Sequence, residues 1–245
     1  MTSALRAYGL LLRWQFLRFR NTLLLIVVVQ VALALGIVYG LAFLFPRIDP
    51  STALFLSTGA PTLTLLVMGL SVVPQEVSQA KVTGRLEYLS SLPVPRLANL
   101  AADVTFWLLA QLPGTVLALV VASIRFDFGL RVGVAIVPAI LLVALTAACV
   151  GYAMAMALQP HIAQQLTSFL SIGLLLFSPI NFPIERLPVV LRAIHRVLPI
   201  TYMADLVRWS LTGRFASQIG LAFAVAAAWC VLSLAGSYRI AVRRR

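Results

Sequence analysis

Asn21-Thr22-Leu23-Leu24-Leu25-Ile26-Val27-Val28-Val29-Gln30-Val31-Ala32-Leu33-Ala34-Leu35-Gly36-Ile37-Val38-Tyr39-Gly40-Leu41-Ala42-Phe43-Leu44-Phe45 holds no charge between Arg20 and Arg47. A helix on a soluble domain keeps one polar face, and this stretch has none. At 1.5 Å rise per residue, about 20 apolar residues cross a bilayer core of about 30 Å. Five further stretches read the same way, at about 51–73, 97–124, 132–158, 162–182 and 217–238. Pro61 predicts a kink in the second and Pro113 one in the third. The basic lead-in resembles a signal peptide. The apolar run exceeds an h-region, however, and no small-residue cleavage site precedes Pro46. An uncleaved first span is expected.

Composition agrees. Hydrophobic residues make up 61% of the 245 and charged residues only 11%, with mean hydropathy +1.00. A soluble surface needs about 25% charged residues to stay wet. The expected fold is therefore an all-α polytopic membrane protein, one transmembrane domain over 1–245 with six helices. The net charge of +12 is carried almost wholly by arginine, mostly at the ends of apolar runs. There it snorkels to headgroups and sets orientation, so nucleic acid is not the expected partner. Cys149 and Cys230 both lie inside apolar runs and form neither a zinc cluster nor a disulfide framework.

Six spans put both termini on one side. That side gathers Arg6, Arg13, Arg18, Arg20, Lys81, Arg85, Arg96 and four arginines from Arg239 onward. The opposite side holds Arg47, Arg125, Arg131, Arg186, Arg192, Arg196, Arg208 and Arg214. The excess of positive charge favours cytoplasmic termini in a cell inner membrane.

Three segments lie outside the spans. In 1–20, Leu5, Tyr8, Leu12, Phe16 and Phe19 form one stripe opposite Arg6, Arg13 and Arg20. That layout suits a helix lying in the membrane interface, or a plain basic lead-in. In 74–96, Pro74 suits a first helical turn, Gly84 bends the middle, and Pro93 and Pro95 stop it. Charges of both signs make it either a docking surface for a soluble partner or a solvated loop. In 183–215, Leu187, Leu191, Ile194 and Leu198 share a face, with Arg192, His195 and Arg196 on another. A second short helix at about 201–211 carries Asp205 and Arg208 at i, i+3 and ends at Gly213. Two such helices can dip into the bilayer and return.

Most familiar chemistry is absent. The only lysine, Lys81, follows Ala80, so there is no Gly-Lys-Ser/Thr phosphate loop. His161 and His195 stand apart, outside any His-Glu-x-x-His pattern, and no serine sits in Gly-x-Ser-x-Gly. Asp103 is the one acid inside a span, near an end where water or Arg96 is within reach. The fifth span carries Thr167, Ser171 and Ser178 on one face, which should look toward protein or a cavity.

The chain resembles, over nearly its whole length, the membrane subunit of type-2 ABC exporters. The resemblance rests on Glu76-x7-Gly84-Arg85-Leu86-Glu87-Tyr88-Leu89-x2-Leu92-Pro93-Val94. It also rests on Phe177-Ser178-Pro179 with Phe182-Pro183, and on Leu198-Pro199-x-Thr201-Tyr202-x2-Asp205-x2-Arg208-x4-Gly213. In size and in the 76–93 wording it is nearest the drug-resistance and lipid-export branch. The resemblance implies a homodimer or heterodimer of permeases on two separate ATPase subunits, which hold the ATP and magnesium. It implies no cofactor or metal on this chain, which would be a transport subunit and not an enzyme. It makes 74–96 the coupling segment, with Glu76, Gly84, Arg85, Glu87 and Tyr88 meeting the ATPase. It makes spans two and five the path for cargo, with Phe55, Thr62, Leu66, Thr167, Ser171 and Ser178. Glu185, Arg192, His195, Arg196, Asp205 and Arg208 fall in an external re-entrant segment. An uncharged lining implies amphipathic or lipid-like cargo: a drug, a lipid or a lipid-linked glycan. The competing classes are a lipid-modifying membrane enzyme with Asp103, His161 or His195 as general base, and a self-contained channel. A thiol introduced at Arg192 or Ser217 should react with an impermeant maleimide applied outside intact cells. One at Ser90 should not, and its labelling would invert the topology.

Overall fold

The computed structural model describes residues 2–41, 43, 50–126, 135–180, 184, 187–213 and 219–243. All regular structure there is helical. In chain order the helices are α1 (Thr2–Leu35), α2 (Pro50–Val67), α3 (Val73–Val82), α4 (Arg85–Ser91), α5 (Arg96–Phe126), α6 (Ile136–Ala157), α7 (Pro160–Phe177), α8 (Val189–Val197), α9 (Pro199–Thr212) and α10 (Ile219–Arg243). Two wider, π-type stretches extend α1 through Gly36–Leu41 and join α2 to α3 through Met68–Val72.

Five helical stretches among the described residues are long and apolar enough to cross a membrane: Ala4–Gly40, Ala53–Val82, Arg96–Arg125, Ile136–Ala157 and Ile219–Ile240. The expected fifth span corresponds to α7, which falls short of that standard. It has 18 residues, and its first two turns carry His161, Gln164 and Gln165. Two boundaries also shift. The interfacial helix and first span merge into α1, because no glycine or proline interrupts residues 10–35. The second span runs on through Val82, so the front half of the coupling segment is a continuation of that span.

The stripe on the first half of α1 packs against protein and not only against lipid. Phe16 and Phe19 meet Phe106 at 5.2 and 4.9 Å between ring centres, and Phe19 meets Trp107 at 5.3 Å. Phe106 is fully buried, while Leu5 stays exposed. Aromatic pairs at these spacings add about 0.5–1.5 kcal/mol each beyond area burial. Polar groups strengthen the same seam. Gln15 donates to Asp103, Tyr8 Oη to Thr105 Oγ1 at 3.2 Å, and Gln30 Nε2 to the carbonyl of Ala110 at 3.1 Å. Asp103 thus sits buried where α5 packs on α1, bonded by Gln15.

The main core lies among α2, α6, α9 and α10, with Leu63, Leu66, Val143, Met203, Leu206 and Leu211 fully buried. α6 crosses the π-type stretch at very short range. A Cβ on Gly151 would collide with the carbonyl oxygen of Gly69 and lie 3.1 Å from Pro74; one on Gly69 would collide with Ala147. Only glycine allows these backbones to touch, the small-residue contact that packs helices in lipid. Gly151→Ala should therefore lower the thermal midpoint in detergent by the equivalent of about 1–3 kcal/mol. Gly236→Ala, which meets nothing within 4 Å, is the matched control and should be neutral.

Candidate functional site: the α3–α4 elbow and the α2–α7 seam

α3 leaves the bundle and ends at Thr83-Gly84. Gly84 takes φ +70°, a left-handed conformation that costs other residues about 1–2 kcal/mol, and α4 starts directly after it. Leu92 then turns extended and Pro93 and Pro95 separate α4 from α5. The result is an elbow of two short helices. On its outer surface Val82, Thr83, Glu87 and Tyr88 are exposed, Tyr88 at 64%. Arg85 is half-buried, with Nε and one terminal nitrogen enclosed. Glu76 points the other way, into a 3.1 Å ion pair with Arg18 of α1. Of the five residues expected to meet a partner, Glu87 and Tyr88 therefore stand free on the surface, Gly84 makes the bend, and Glu76 is occupied internally.

The inner side of the elbow is fastened to three other helices. Besides Glu76–Arg18, Gln75 Nε2 donates to Thr167 Oγ1 of α7 at 3.5 Å. Lys81 donates to the carbonyls of Ala155, Met156 (3.1 Å) and Leu158 (2.8 Å), where α6 ends. Sequence reading used Lys81 as the lone lysine and as one of the charges that set orientation. Its acceptors are backbone atoms more than 70 residues away, which no motif records.

The residues expected along a path fall in two groups. Thr62, Leu66, Thr167 and Ser178 are fully buried inside the chain. Thr62 donates to the carbonyl of Thr58, and Thr167 to that of Gln164, so both hydroxyls are satisfied within their own helices. Ser171 meets Ser71 across the seam at 2.6 Å between oxygens and borders an open cleft of about 200 Å³. The cleft is walled by Leu33 and Ile37, by Leu63 and Val67 of α2, and by Ile172 and Leu175 of α7. No charged group lines it. α7 leaves Ser168, Phe169 and Leu176 exposed outside the cleft.

Phe55 lies at the other end of α2, under the guanidinium of Arg208 at 4.2 Å from the ring centre. Arg208 is almost wholly buried. It pairs with Asp205 at 2.7 Å and donates to the carbonyl of Ile180 at 3.0 Å, just past α7. His195 also holds this end, 3.0 Å from the carbonyl of Phe177. Burial pushes its pKa below the ordinary histidine value, leaving it neutral at pH 7 with Nε2–H donating. Arg192 donates to the carbonyl of Leu187 at 3.2 Å, and Arg196 accepts at its own carbonyl from Tyr202 at 3.0 Å. Gly213 closes α9 at φ +64°, as its position in the sequence predicts. Glu185 lies outside the described residues.

The general bases of the competing enzyme reading do not converge. His161 opens α7 and His195 sits at its far end, about 24 Å along a helix of this length. Asp103 is enclosed against Gln15. Among the described residues no cluster of three or more His, Cys, Asp or Glu side chains is placed to hold a metal ion. Cys149 and Cys230 are free thiols between α6 and α10, with Cys230 Sγ donating to Cys149 Sγ at 3.9 Å.

No curated protein matches the chain. The family model for ABC-2 type transporters matches residues 6–212, a stretch that takes in α1, the α2–α7 seam, the elbow, α8 and α9. The chain is a multi-pass membrane protein and belongs to the ABC-2 type transporter family, as a transport component of an ABC transporter.

Proposed function

We propose that the chain is the permease of an ATP-driven exporter that moves amphipathic or lipid-like cargo out across the cytoplasmic membrane. Two ATPase subunits and a second permease, identical or related, complete it, and both termini lie in the cytoplasm. The elbow carries this reading: a glycine-bent pair of helices projects Glu87 and Tyr88 outward while its inner side grips α1, α6 and α7. That arrangement suits a part pushed by a soluble partner and felt by the bundle. Membership of the family supports an ATPase as that partner.

The cleft between α1, α2 and α7 supports the cargo class. Its apolar walls bury hydrocarbon, with no counter-ion for a strongly charged solute. α8 and α9, fixed by His195 and Arg208 to the end of α7, serve as the external re-entrant segment. Drug, lipid and lipid-linked glycan all satisfy this chemistry.

Glu87→Arg should weaken capture of the ATPase by roughly thirtyfold, the effect of about 2 kcal/mol from a reversed interface charge. The helical bundle should still insert and fold. Equal copurification and equal ATPase rate in that variant would remove the elbow from the interface. Ser171→Trp fills the cleft and should block export of a fluorescent amphiphile while leaving ATPase capture intact. Normal export by folded, assembled Ser171→Trp protein would place the path elsewhere.

A further inference from the structure

The last carbonyls of any helix lack intrahelical donors and carry the negative end of its dipole. At the end of α6 these carbonyls are met by a side chain from another helix, the ammonium of Lys81 on α3. The chain otherwise uses arginine throughout, but a compact ammonium can enter a ring of three carbonyl oxygens that a planar guanidinium fits less closely. The bonds span the joint itself, since α6 ends at Ala157, Leu158 is extended, and α7 begins at Pro160.

Of the three fastenings on the elbow, this one dominates. The Arg18–Glu76 pair is about 30% exposed on each side, so water and salt screen it. Gln75 and Thr167 are neutral and sit at the 3.5 Å limit of a hydrogen bond. Lys81 makes three charge-assisted bonds in a half-buried place, and twelve residues earlier the Gly69–Gly151 contact holds α6 against the π-type stretch. The π-type stretch Met68–Val72 lies just before α3, a wider turn of the kind at which helices bend. Beyond that bend, α3 and the end of α6 are tied together by Lys81.

We propose that Lys81 is a positioning residue that carries movement of the elbow into the α6–α7 joint, and so to the helix bordering the cleft. The proposal rests on the exporter reading above, because that reading supplies the push. It assigns Lys81 a role in coupling that a simple helix cap does not have.

The test uses the chain with its ATPase in lipid nanodiscs, with Cys149→Ala and Cys230→Ala removing the native thiols. Spin labels go on pairs among Val82 of α3, Gln159 at the joint and Tyr238 of α10, all exposed. Distances are read without nucleotide and with ATP plus vanadate. With Lys81 in place, Val82 and Gln159 should both shift relative to Tyr238, while the Val82–Gln159 distance stays constant. In Lys81→Met the Val82 shift should persist and the Gln159 shift should vanish, with ATPase capture unchanged; Lys81→Arg should restore part of it. A structural cap alone predicts that both shifts survive in Lys81→Met, and that outcome overturns the proposal. So does a Val82–Gln159 distance that changes in the lysine-bearing chain, a measurement that holds even where Lys81→Met fails to fold. If the lysine-bearing chain binds no ATPase, or neither label shifts, the exporter reading itself fails and the coupling role falls with it.

Discussion

In hydrocarbon no water satisfies a free backbone N–H or C=O, and each one left bare costs several kcal/mol. Helices meet this demand along their length but not at their ends or beside proline. Some of the chain's few polar side chains are spent there, and others on carbonyls within neighbouring helices. Gln30 donates to Ala110 of α5, and Gln111 donates to Ala144 of α6 across the α5–α6 contact. Lys81 covers the end of α6, while His195 and Arg208 cover the end of α7. Thr146 of α6 donates to the carbonyl of Ala226 in α10. These bonds, to helix ends and to carbonyls within helices alike, mark where one helix of the bundle meets the next.

That dependence explains what a reader of the sequence can and cannot see. The runs at 21–45, 51–73, 97–124, 132–158 and 217–238 are visible because lipid demands apolar surface at every position. The elbow at Gly84 and the stop at Gly213 are visible because positive φ selects glycine locally. The merging of the lead-in with the first span was open to view in the missing breakers of 10–35, but the arginine stripe argued for an interface helix. The polar face of α7 was read as the wall of a path. Its avoidance of lipid is equally met by Ser71 and Gln75 of the neighbouring helices, and only packing decides between the two. The Asp205–Arg208 pair is legible from its i, i+3 spacing, but Lys81, Asp103 and the bond from Arg208 to Ile180 involve partners far along the chain, which no local pattern encodes.

The charge inventory is small enough for burial to give each ion a distinct part. Arg208 keeps its charge in an enclosed site because Asp205, the Ile180 carbonyl and the Phe55 ring replace water around it. Removing any one leaves a buried cation short of partners. The Arg18–Glu76 pair is exposed enough to contribute little to stability, about 0–1 kcal/mol. Its value is geometric: it keeps Glu76 turned inward and leaves Glu87 as the acidic group on the outer surface of the elbow.

α7 brings these observations together. Its first turn follows the carbonyls held by Lys81, and its last is gripped by His195 with Arg208 just beyond. Between those anchors it touches the π-type stretch and α3 through the Ser71–Ser171 and Gln75–Thr167 contacts, and from Phe169 onward its exposed surface is apolar. Hydroxyl and amide contacts between helices in lipid average only about 0.6 kcal/mol. The polar contacts in the middle of α7 are thus weaker than those at its ends, with Leu174 seated in the main core between them. Under the proposed exporter reading, displacing those ends would move α7 as a rigid wall. Such a wall beside an apolar cleft changes the cleft's width without exposing any buried charge, which is the cheapest conformational change a bundle in lipid can make.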